Sequence, residues 1–204
     1  MKTKRTLLAW AAGCIALMSL SACTSRQGTE NKEAVNPVIA NILQRKSVRQ
    51  YQERPVEKEK TELLLRAGMA APTGRDLRPW EFVVIRNRSV LDSLAAALPY
   101  GKMLARAPLA IAVCGDTTVS EKLWVEDCSM AAQNILLAAE SLGLGAVFTA
   151  VYPYPERMET VNRYLRLPQR LVPLTLIPVG YPEGVQSPKN KFDPAKIHYE
   201  TCSD

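Results

Sequence analysis

Three basic side chains and a hydroxyl lie within five consecutive residues near the start of the chain. Arg45, Ser47 and Arg49 alternate along the sequence, and Lys46 stands between the first two. In an extended segment, residues at positions i, i+2 and i+4 project to one side. Guanidinium groups form charge-assisted hydrogen bonds with phosphate. The segment is therefore a candidate phosphate site, although a solvated basic surface would show the same pattern.

The second candidate is the loop 71–82, where a predicted helix gives way to a strand. Pro72, Thr73 and Gly74 open this loop. Loops rich in proline, glycine and hydroxyl side chains offer free backbone N–H groups to a ligand. Trp80 would then fix the loop to the core. The same tryptophan would equally serve as a packing anchor at the start of a strand.

Histidine and cysteine chemistry is poorly supported by the sequence. The chain has one histidine, His198, and five cysteines. A zinc site or a Ser-His-Asp triad needs more suitable side chains than these. The cysteines show no CxxC pairing and no spacing typical of metal ligands. Cys114 and Cys128 lie within apolar patterns, and we predict that they are buried, unreactive thiols. Most hydrolase mechanisms and metal sites are thereby disfavoured.

Residues 1–22 are predicted to form a lipoprotein signal peptide. Three basic residues precede an uncharged, mainly apolar run over positions 7–18, as in secretory signals. The sequence Leu-Ser-Ala-Cys that follows matches the bacterial lipobox, so Cys23 is the predicted lipidation site and first residue of the mature chain. The apolar run is shorter than the roughly 20 residues of a spanning helix. An uncleaved anchor and plain secretion are the alternatives to lipid anchoring in the bacterial cell envelope.

The rest of the chain is predicted to be a tether and one domain. Residues 23–34 are mostly polar and lack periodicity, which is typical of a flexible tether. Residues 35–204 are long enough for one domain with a substantial core. The formal charge of +6 falls to +3 without the three basic residues of the signal. This charge is too mild to indicate a nucleic-acid partner.

Helical and strand patterns alternate through the predicted domain. Helices are predicted from Asn36–Pro37, from Pro55, over Asn87–Leu98, over Ser120–Leu142 and over Pro155–Leu167, and strands over Glu81–Arg86, Leu109–Cys114, Ala146–Val151 and Leu171–Val179. Apolar spacing predicts that Leu63, Leu64, Ala67 and Met69 point inward from the second helix. Two prolines favour an end or edge position in the last strand. The pattern predicts an α+β domain with a mostly antiparallel or mixed sheet of four to five strands, flanked by helices.

The ordered segments together resemble the nitroreductase family. That family pairs an Arg-Arg-Ser-Val-Arg-like segment with an Ala-Pro-Ser-x-x-Asn-x-Gln-Pro-Trp-x-Phe loop, and Arg45–Arg49 and Ala71–Phe82 correspond to these. Asp127–Ala139 is similar to the family's central helix, Pro178–Pro182 to its last core strand, and Lys189–Lys191 to a later basic pair. The resemblance implies the nitroreductase-like fold and a homodimer in which the C-terminal tails are exchanged.

The same resemblance implies that FMN is the cofactor. The implied FMN-binding residues are Arg45, Lys46, Ser47, Arg49, Pro72, Thr73, Gly74, Arg78, Phe148, Thr149, Ala150, Lys189 and Lys191. Arg45, Ser47 and Lys191 would hold the phosphate, and the partner subunit would supply the loop that begins at Pro72. Arg49 would lie towards the flavin pyrimidine, where a cation stabilises the reduced, anionic ring. No protein side chain would act as a catalytic nucleophile.

Two positions of the loop depart from the family pattern. Asp76 and Arg78 stand where the family has asparagine and glutamine. An ionised aspartate accepts hydrogen bonds but cannot donate them, and we predict that Arg78 pairs with Asp76 instead of replacing the glutamine.

The resemblance implies an oxidoreductase that moves electrons by a ping-pong mechanism from NAD(P)H to a nitroaromatic, a quinone or a similar small acceptor. Two alternatives stay open. One is a dehalogenating or substrate-remodelling relative, and the other is an envelope lipoprotein that uses the fold as a non-catalytic flavin- or small-molecule-binding module. Flavin colour in the purified protein would distinguish the enzymatic readings from a module that binds no flavin.

Overall fold

The computed structural model describes residues 36–202 of the chain. The predicted signal peptide, the lipidation site Cys23 and the tether 23–34 lie outside the described residues. Between residues 36 and 202, no helix combines the length and the apolar character that crossing a bilayer would require.

Helices and strands alternate along the described chain as the sequence predicts. The helices are α1 (Pro37–Gln44), α2 (Lys58–Met69), α3 (Arg88–Ala97), α4 (Trp124–Ser141) and α5 (Pro155–Leu165). The strands are β1 (Trp80–Ile85), β2 (Leu109–Asp116), β3 (Gly145–Ala146), β4 (Thr149–Ala150) and β5 (Leu171–Gly180). Asparagine side chains cap two of the helices as predicted: Asn36 accepts from the N–H of Val38, and Asn87 accepts from that of Val90.

The five strands form one antiparallel sheet in the order β1-β2-β5-β3, and β4 also pairs with β5. Strand β5 therefore has neighbours on both sides, and the edge alternative is wrong. Each proline is the third residue from one end of the strand. Its prolines are tolerated because pairing is irregular beside them. Pro173 lies at a register shift opposite Cys114, and Pro178 lies between the residues that pair with β3 and those that pair with β4.

The predicted strand Ala146–Val151 is divided into β3 and β4. Val147 and Phe148 stand between them, outside the ladder, and line a cavity. Thr149 and Ala150 then resume pairing with β5. The sequence pattern predicts one unbroken strand here, but the break places Val147 and Phe148 in a cavity wall.

Helices cover both faces of the sheet. Side chains of β2 alternate between two apolar clusters, in accord with the two-residue period of a strand. Leu109, Ile111 and Val113 face the cluster that includes α2 and α4, whereas Ala110 and Ala112 face the cluster that includes α3 and α5. Burial on both faces explains why β2 is apolar at every position from Leu109 to Cys114 instead of alternating.

The inward face of α2 is partly different from the predicted one. Leu64 is buried as predicted and Ala67 is half-buried, but Leu63 and Met69 are exposed. Thr61, Leu64 and Gly68 form the buried stripe, with the three- and four-residue spacing of a helix face. The Gly68 position is in close contact with Ile135 of α4, since a Cβ there would lie 3.0 Å from Ile135 Cγ1. This close approach of α2 to α4 sets the rotation of α2.

The burial predicted for Cys114 and Cys128 is confirmed. Both thiols are fully buried, and the Cys128 sulfur donates to the backbone carbonyl of Cys114 over 3.5 Å. Burial raises the pKa of each thiol to about 12. Thiolate is the reactive form of cysteine, so neither side chain is suited to nucleophilic or redox chemistry near neutral pH.

Candidate functional site

The basic segment Arg45–Arg49 is held against the end of the sheet. Helix α1 ends at Gln44, and the chain then becomes extended. Ser47 forms a parallel bridge with Ala146 of β3, and the N–H of Val48 donates to the Ala146 carbonyl over 3.0 Å. Because this short pairing is extended, the residues on either side of the buried Val48 side chain point away from the core.

Two further contacts fix the position of Val48. Gly145 leaves room for its side chain, since a Cβ at that position would lie 2.5 Å from Val48 Cγ1. The buried Tyr51 hydroxyl donates to the Val48 carbonyl over 2.6 Å. Burial raises the pKa of Tyr51 well above its ordinary value, so the hydroxyl stays a donor throughout the physiological range.

Both ends of the described domain contribute to one cationic cavity of about 240 Å³, which we call the anion cavity. It is lined by Arg45, Lys46, Ser47, Arg49, Ser187, Lys189 and Lys191. Six of these seven residues are predicted FMN-binding residues, and Ser187 is an addition. None of the described residues that line it is acidic, although Lys46 reaches outside the wall to Glu140 over 2.7 Å. The arrangement suits a ligand group with more than one negative charge.

A larger cavity of about 550 Å³, which we call the ring cavity, shares Arg49 with the anion cavity. Its wall consists of Arg49, Pro99, Tyr100, Lys102, Met103, Val147, Phe148, Thr149, Ala150 and Arg157. The predicted ring-lining residues Phe148, Thr149 and Ala150 are all present. Val147 precedes them in the segment between β3 and β4. The other additions, Pro99, Tyr100, Lys102, Met103 and Arg157, come from the loop after α3 and from the first turn of α5, and the sequence pattern did not indicate them.

Two polar atoms in the wall of the ring cavity have no hydrogen-bond partner. Thr149 is 8% exposed, and its hydroxyl oxygen is buried without a partner. The Nε of Arg157 is also buried without a hydrogen-bond partner. Buried polar groups are nearly always hydrogen-bonded, so the cavity wall is incomplete at these two atoms in the single chain.

The four predicted residues of the other loop, Pro72, Thr73, Gly74 and Arg78, line neither cavity within a single chain. Arg78 forms the predicted ion pair with Asp76, and its Nε lies 2.7 Å from Asp76 Oδ1. The Arg78 guanidinium lowers the pKa of Asp76. The assignment of the loop that begins at Pro72 to the cofactor site of a partner subunit stays a prediction.

Asp127, in the first turn of α4, holds this loop. It is 2% exposed and accepts hydrogen bonds from the Thr73 hydroxyl over 2.9 Å and from the Gly74 N–H over 3.0 Å. Sequence reasoning assigned Asp127 no role. Glu126 and Asp127 are adjacent acidic residues in the first turn of α4, where carboxylates are favoured, and only Asp127 precedes the apolar run directly.

Replacing Asp127 with alanine is expected to reduce the free energy of unfolding by about 1–3 kcal/mol, because the loop donors lose their buried acceptor. Urea denaturation of the purified protein measures this change. Asp92→Ala is the control, since it breaks an exposed ion pair with Arg88, and exposed pairs contribute about 0–1 kcal/mol. Equal stabilities of the two variants would contradict the anchoring role of Asp127.

Comparison with known proteins gives a consistent result. The sequence profile of the nitroreductase family matches residues 42–99 and 92–181. A protein of Methanothermobacter thermautotrophicus with the provisional name NADH dehydrogenase/NAD(P)H nitroreductase is 45% identical over 174 residues, which cover 84% of this chain and 91% of the relative.

Solved structures are similar along nearly all of the described chain. A crystal structure from Bacteroides thetaiotaomicron, with the same provisional name, is 58% identical with a TM-score of 0.81, and the match covers 83% of this chain and 100% of the other. A structure from Desulfovibrio desulfuricans, provisionally named a nitroreductase and solved in complex with FMN, is 31% identical with a TM-score of 0.72. That match covers 83% of this chain and 100% of the other.

Proposed function

The chain belongs to the nitroreductase family, and on this basis we propose that it is an FMN-dependent oxidoreductase that moves electrons from NAD(P)H to a small acceptor. A nitroaromatic or a quinone is the proposed class of acceptor. The observation that carries the proposal is the junction at Arg49, where a cationic cavity meets a larger cavity with unpartnered polar atoms.

The residues present fit FMN. Arg45, Ser47 and Lys191 would hold its phosphate in the anion cavity, with Lys46 and Lys189 close by. Thr149 would offer its unpartnered hydroxyl to the flavin ring. When bound, FMN supplies the hydride- and electron-accepting chemistry that amino-acid side chains lack.

The chain's own part in the reaction is electrostatic. Arg49 stands between the two cavities, where its guanidinium would stabilise negative charge on the reduced ring. No side-chain nucleophile is needed, which agrees with the buried and unreactive state of Cys114 and Cys128. We also propose a ping-pong order, in which donor and acceptor use the ring cavity in turn.

The exposed apolar residues support a homodimer. The apolar face of α1, formed by Val38, Ile39, Ile42 and Leu43, is exposed in the single chain. Phe192 of the C-terminal tail is also exposed and lines a groove with Ile42 and Leu43. Contiguous apolar surface of this kind is typical of an interface. We propose that exchanged tails cover it, and that loop 71–82 of the partner borders the flavin. A monomeric mass in sedimentation would contradict this assembly.

Lipid anchoring in the bacterial cell envelope is proposed from the lipobox alone. The test is incorporation of labelled palmitate by cells that produce the full chain, compared with the Cys23→Ser variant. Label in the native protein and none in the variant would support the anchor. Equal labelling, or no labelling of either protein, would contradict it.

The proposed activity is tested with the purified full chain. We expect it to retain FMN and to be yellow. Under anaerobic conditions, NADH or NADPH should bleach the flavin absorbance, and a nitroaromatic or quinone should restore it. Parallel lines in double-reciprocal plots would support the ping-pong order. A colourless protein that does not bind added FMN would contradict the whole proposal.

A further inference from the structure

Arg157 is a largely buried cation, and its ion pair among the described residues is long and reaches an exposed partner. Its side chain is 14% exposed, and one terminal nitrogen donates to the Ala150 carbonyl over 3.1 Å. The carboxylate of Glu156 lies 3.9 Å from Arg157 Nε, but the Glu156 side chain is 68% exposed. A buried charge is destabilising unless it is paired and hydrogen-bonded. The protein keeps this guanidinium in the wall of the ring cavity with Nε unpartnered.

Two tyrosine rings partly compensate for the burial of the Arg157 charge, but they leave the N–H edge of the guanidinium group free. The Arg157 guanidinium carbon lies 3.7 Å from the ring centre of Tyr154 and 5.3 Å from that of Tyr100. Stacking on an aromatic face stabilises a cation through the plane of the guanidinium group. Nε is shielded from solvent and one terminal N–H donates to Ala150, which leaves the remaining N–H groups of the two terminal nitrogens for an acceptor. The tyrosines therefore orient Arg157 without replacing a counter-ion.

The charge of the ring cavity exceeds what FMN itself explains. Arg49, Lys102 and Arg157 line it, and none of its described wall residues is acidic. The phosphate of FMN fits the separate anion cavity, to whose wall Arg157 does not belong. The oxidised flavin ring is uncharged, and the negative charge of the reduced ring is already assigned to Arg49, which lines both cavities. The charge of Arg157 is thus left for another ligand.

We propose that Arg157 determines acceptor specificity by binding a carboxylate carried on an aromatic acceptor. This inference rests on the proposed oxidoreductase function and adds the substrate class. A guanidinium group binds a carboxylate with two parallel charge-assisted hydrogen bonds, and the aromatic body of the acceptor suits the apolar part of the ring cavity. For a nitro acceptor the balanced reaction is NAD(P)H + H⁺ + R–NO₂ → NAD(P)⁺ + R–NO + H₂O, and the carboxylate on R is unchanged.

The phosphates of NAD(P)H are oxyanions too and would be an alternative ligand for Arg157. The two half-reactions distinguish binding of the acceptor carboxylate from binding of the NAD(P)H phosphates. A role towards the acceptor appears in reoxidation of the reduced protein, whereas a role towards the donor appears in its reduction. Rapid mixing measures the two steps independently on the FMN-loaded full chain.

The decisive comparison uses 4-nitrobenzoate and the neutral 4-nitrobenzamide, which are nearly equal in shape. We expect the native protein to show a KM about 10-fold lower for the benzoate, in line with a hydrogen bond to a charged group. Arg157→Gln should remove this difference and leave the KM for NAD(P)H unchanged. Arg163→Gln, which removes an exposed arginine from the same helix, should preserve the difference.

A binding measurement tests the same assignment without turnover. Benzoate should perturb the absorbance of the oxidised, FMN-loaded protein at concentrations about 10-fold lower than benzamide, and Arg157→Gln should abolish that preference. Equal affinities in the native protein would overturn the proposal even if the variant failed to fold. The proposal would also be overturned if Arg157→Gln slowed reduction of the flavin by NAD(P)H but left the preference between the two acceptors unchanged.

Failure of the proposed oxidoreductase function would give a different experimental result from failure of the proposed role of Arg157. A protein that binds FMN but reduces neither acceptor would contradict the oxidoreductase proposal, and the preference for benzoate over benzamide would still decide the role of Arg157.

Discussion

Replacing Arg45 with alanine is expected to weaken FMN binding by about 10- to 150-fold, which corresponds to the roughly 1.5–3 kcal/mol of a hydrogen bond to a charged group. Arg45 lines the anion cavity beside Ser47 and Lys191, and its loss leaves one phosphate charge with a weaker partner. Quenching of FMN fluorescence on titration with apoprotein measures the dissociation constant at fixed ionic strength.

A comparison with riboflavin makes the same variant a test of the phosphate site. Riboflavin lacks the phosphate, so its affinity should change little in Arg45→Ala, and the preference of the protein for FMN should fall by the same factor as FMN affinity. Arg163→Ala is the control because Arg163 lines neither cavity. Unchanged FMN affinity in Arg45→Ala would identify the basic segment as a solvated surface.

Replacing Gly145 with alanine is expected to reduce both stability and FMN affinity. The new Cβ would lie 2.5–2.7 Å from three atoms of the Val48 side chain. Overpacking of a buried site destabilises a protein by about 1–3 kcal/mol. Val48 is fully buried, and its neighbours Ser47 and Arg49 line the anion cavity, so a shift of Val48 moves those two side chains out of position. Urea denaturation and FMN titration of the same preparation measure the two effects.

Gly143→Ala separates the loss of stability from the loss of binding. Gly143 has a φ of 69° with no atom within 4 Å of a Cβ. A non-glycine residue in this left-handed conformation is destabilised by about 1–2 kcal/mol, without contact to Val48. We expect this variant to lose stability and keep its FMN affinity. If Gly145→Ala also kept its affinity, the contact between β3 and Val48 would not set the geometry of the cavity.

Local patterns in the sequence predicted most of the elements correctly. Capping by Asn36 and Asn87 and the apolar run of β2 depend on neighbouring residues, which a sequence displays directly. The position of β5 within the sheet, in contrast, does not depend on neighbouring residues in the sequence. Prolines disfavour a central strand, and only the register shift opposite Pro173 and the interrupted pairing beside Pro178 make the central position possible.

Phe148, Thr149 and Ala150 were predicted through the family resemblance, and the rest of the candidate site was predictable where residues of one chemical type lie close together along the chain. Arg45–Arg49 and Lys189–Lys191 are such groups, and the structure brings them to one cavity. Tyr100 and Arg157 lie far apart in sequence and belong to ordinary loop and helix patterns. Their stacking is a property of tertiary structure, because it depends on how α3 and α5 pack on the same face of the sheet.

The anion cavity combines residues from the first and the last segments of the domain, and this order matters during biosynthesis. A nascent chain that still lacks Lys189 and Lys191 has only half of the cationic wall, however well the sheet has already formed. A complete cationic wall for the cofactor therefore exists only after Lys191 has been synthesised. Proteolysis that removed the segment with Lys189 and Lys191 would take away that half of the wall and leave the strands of the sheet in place.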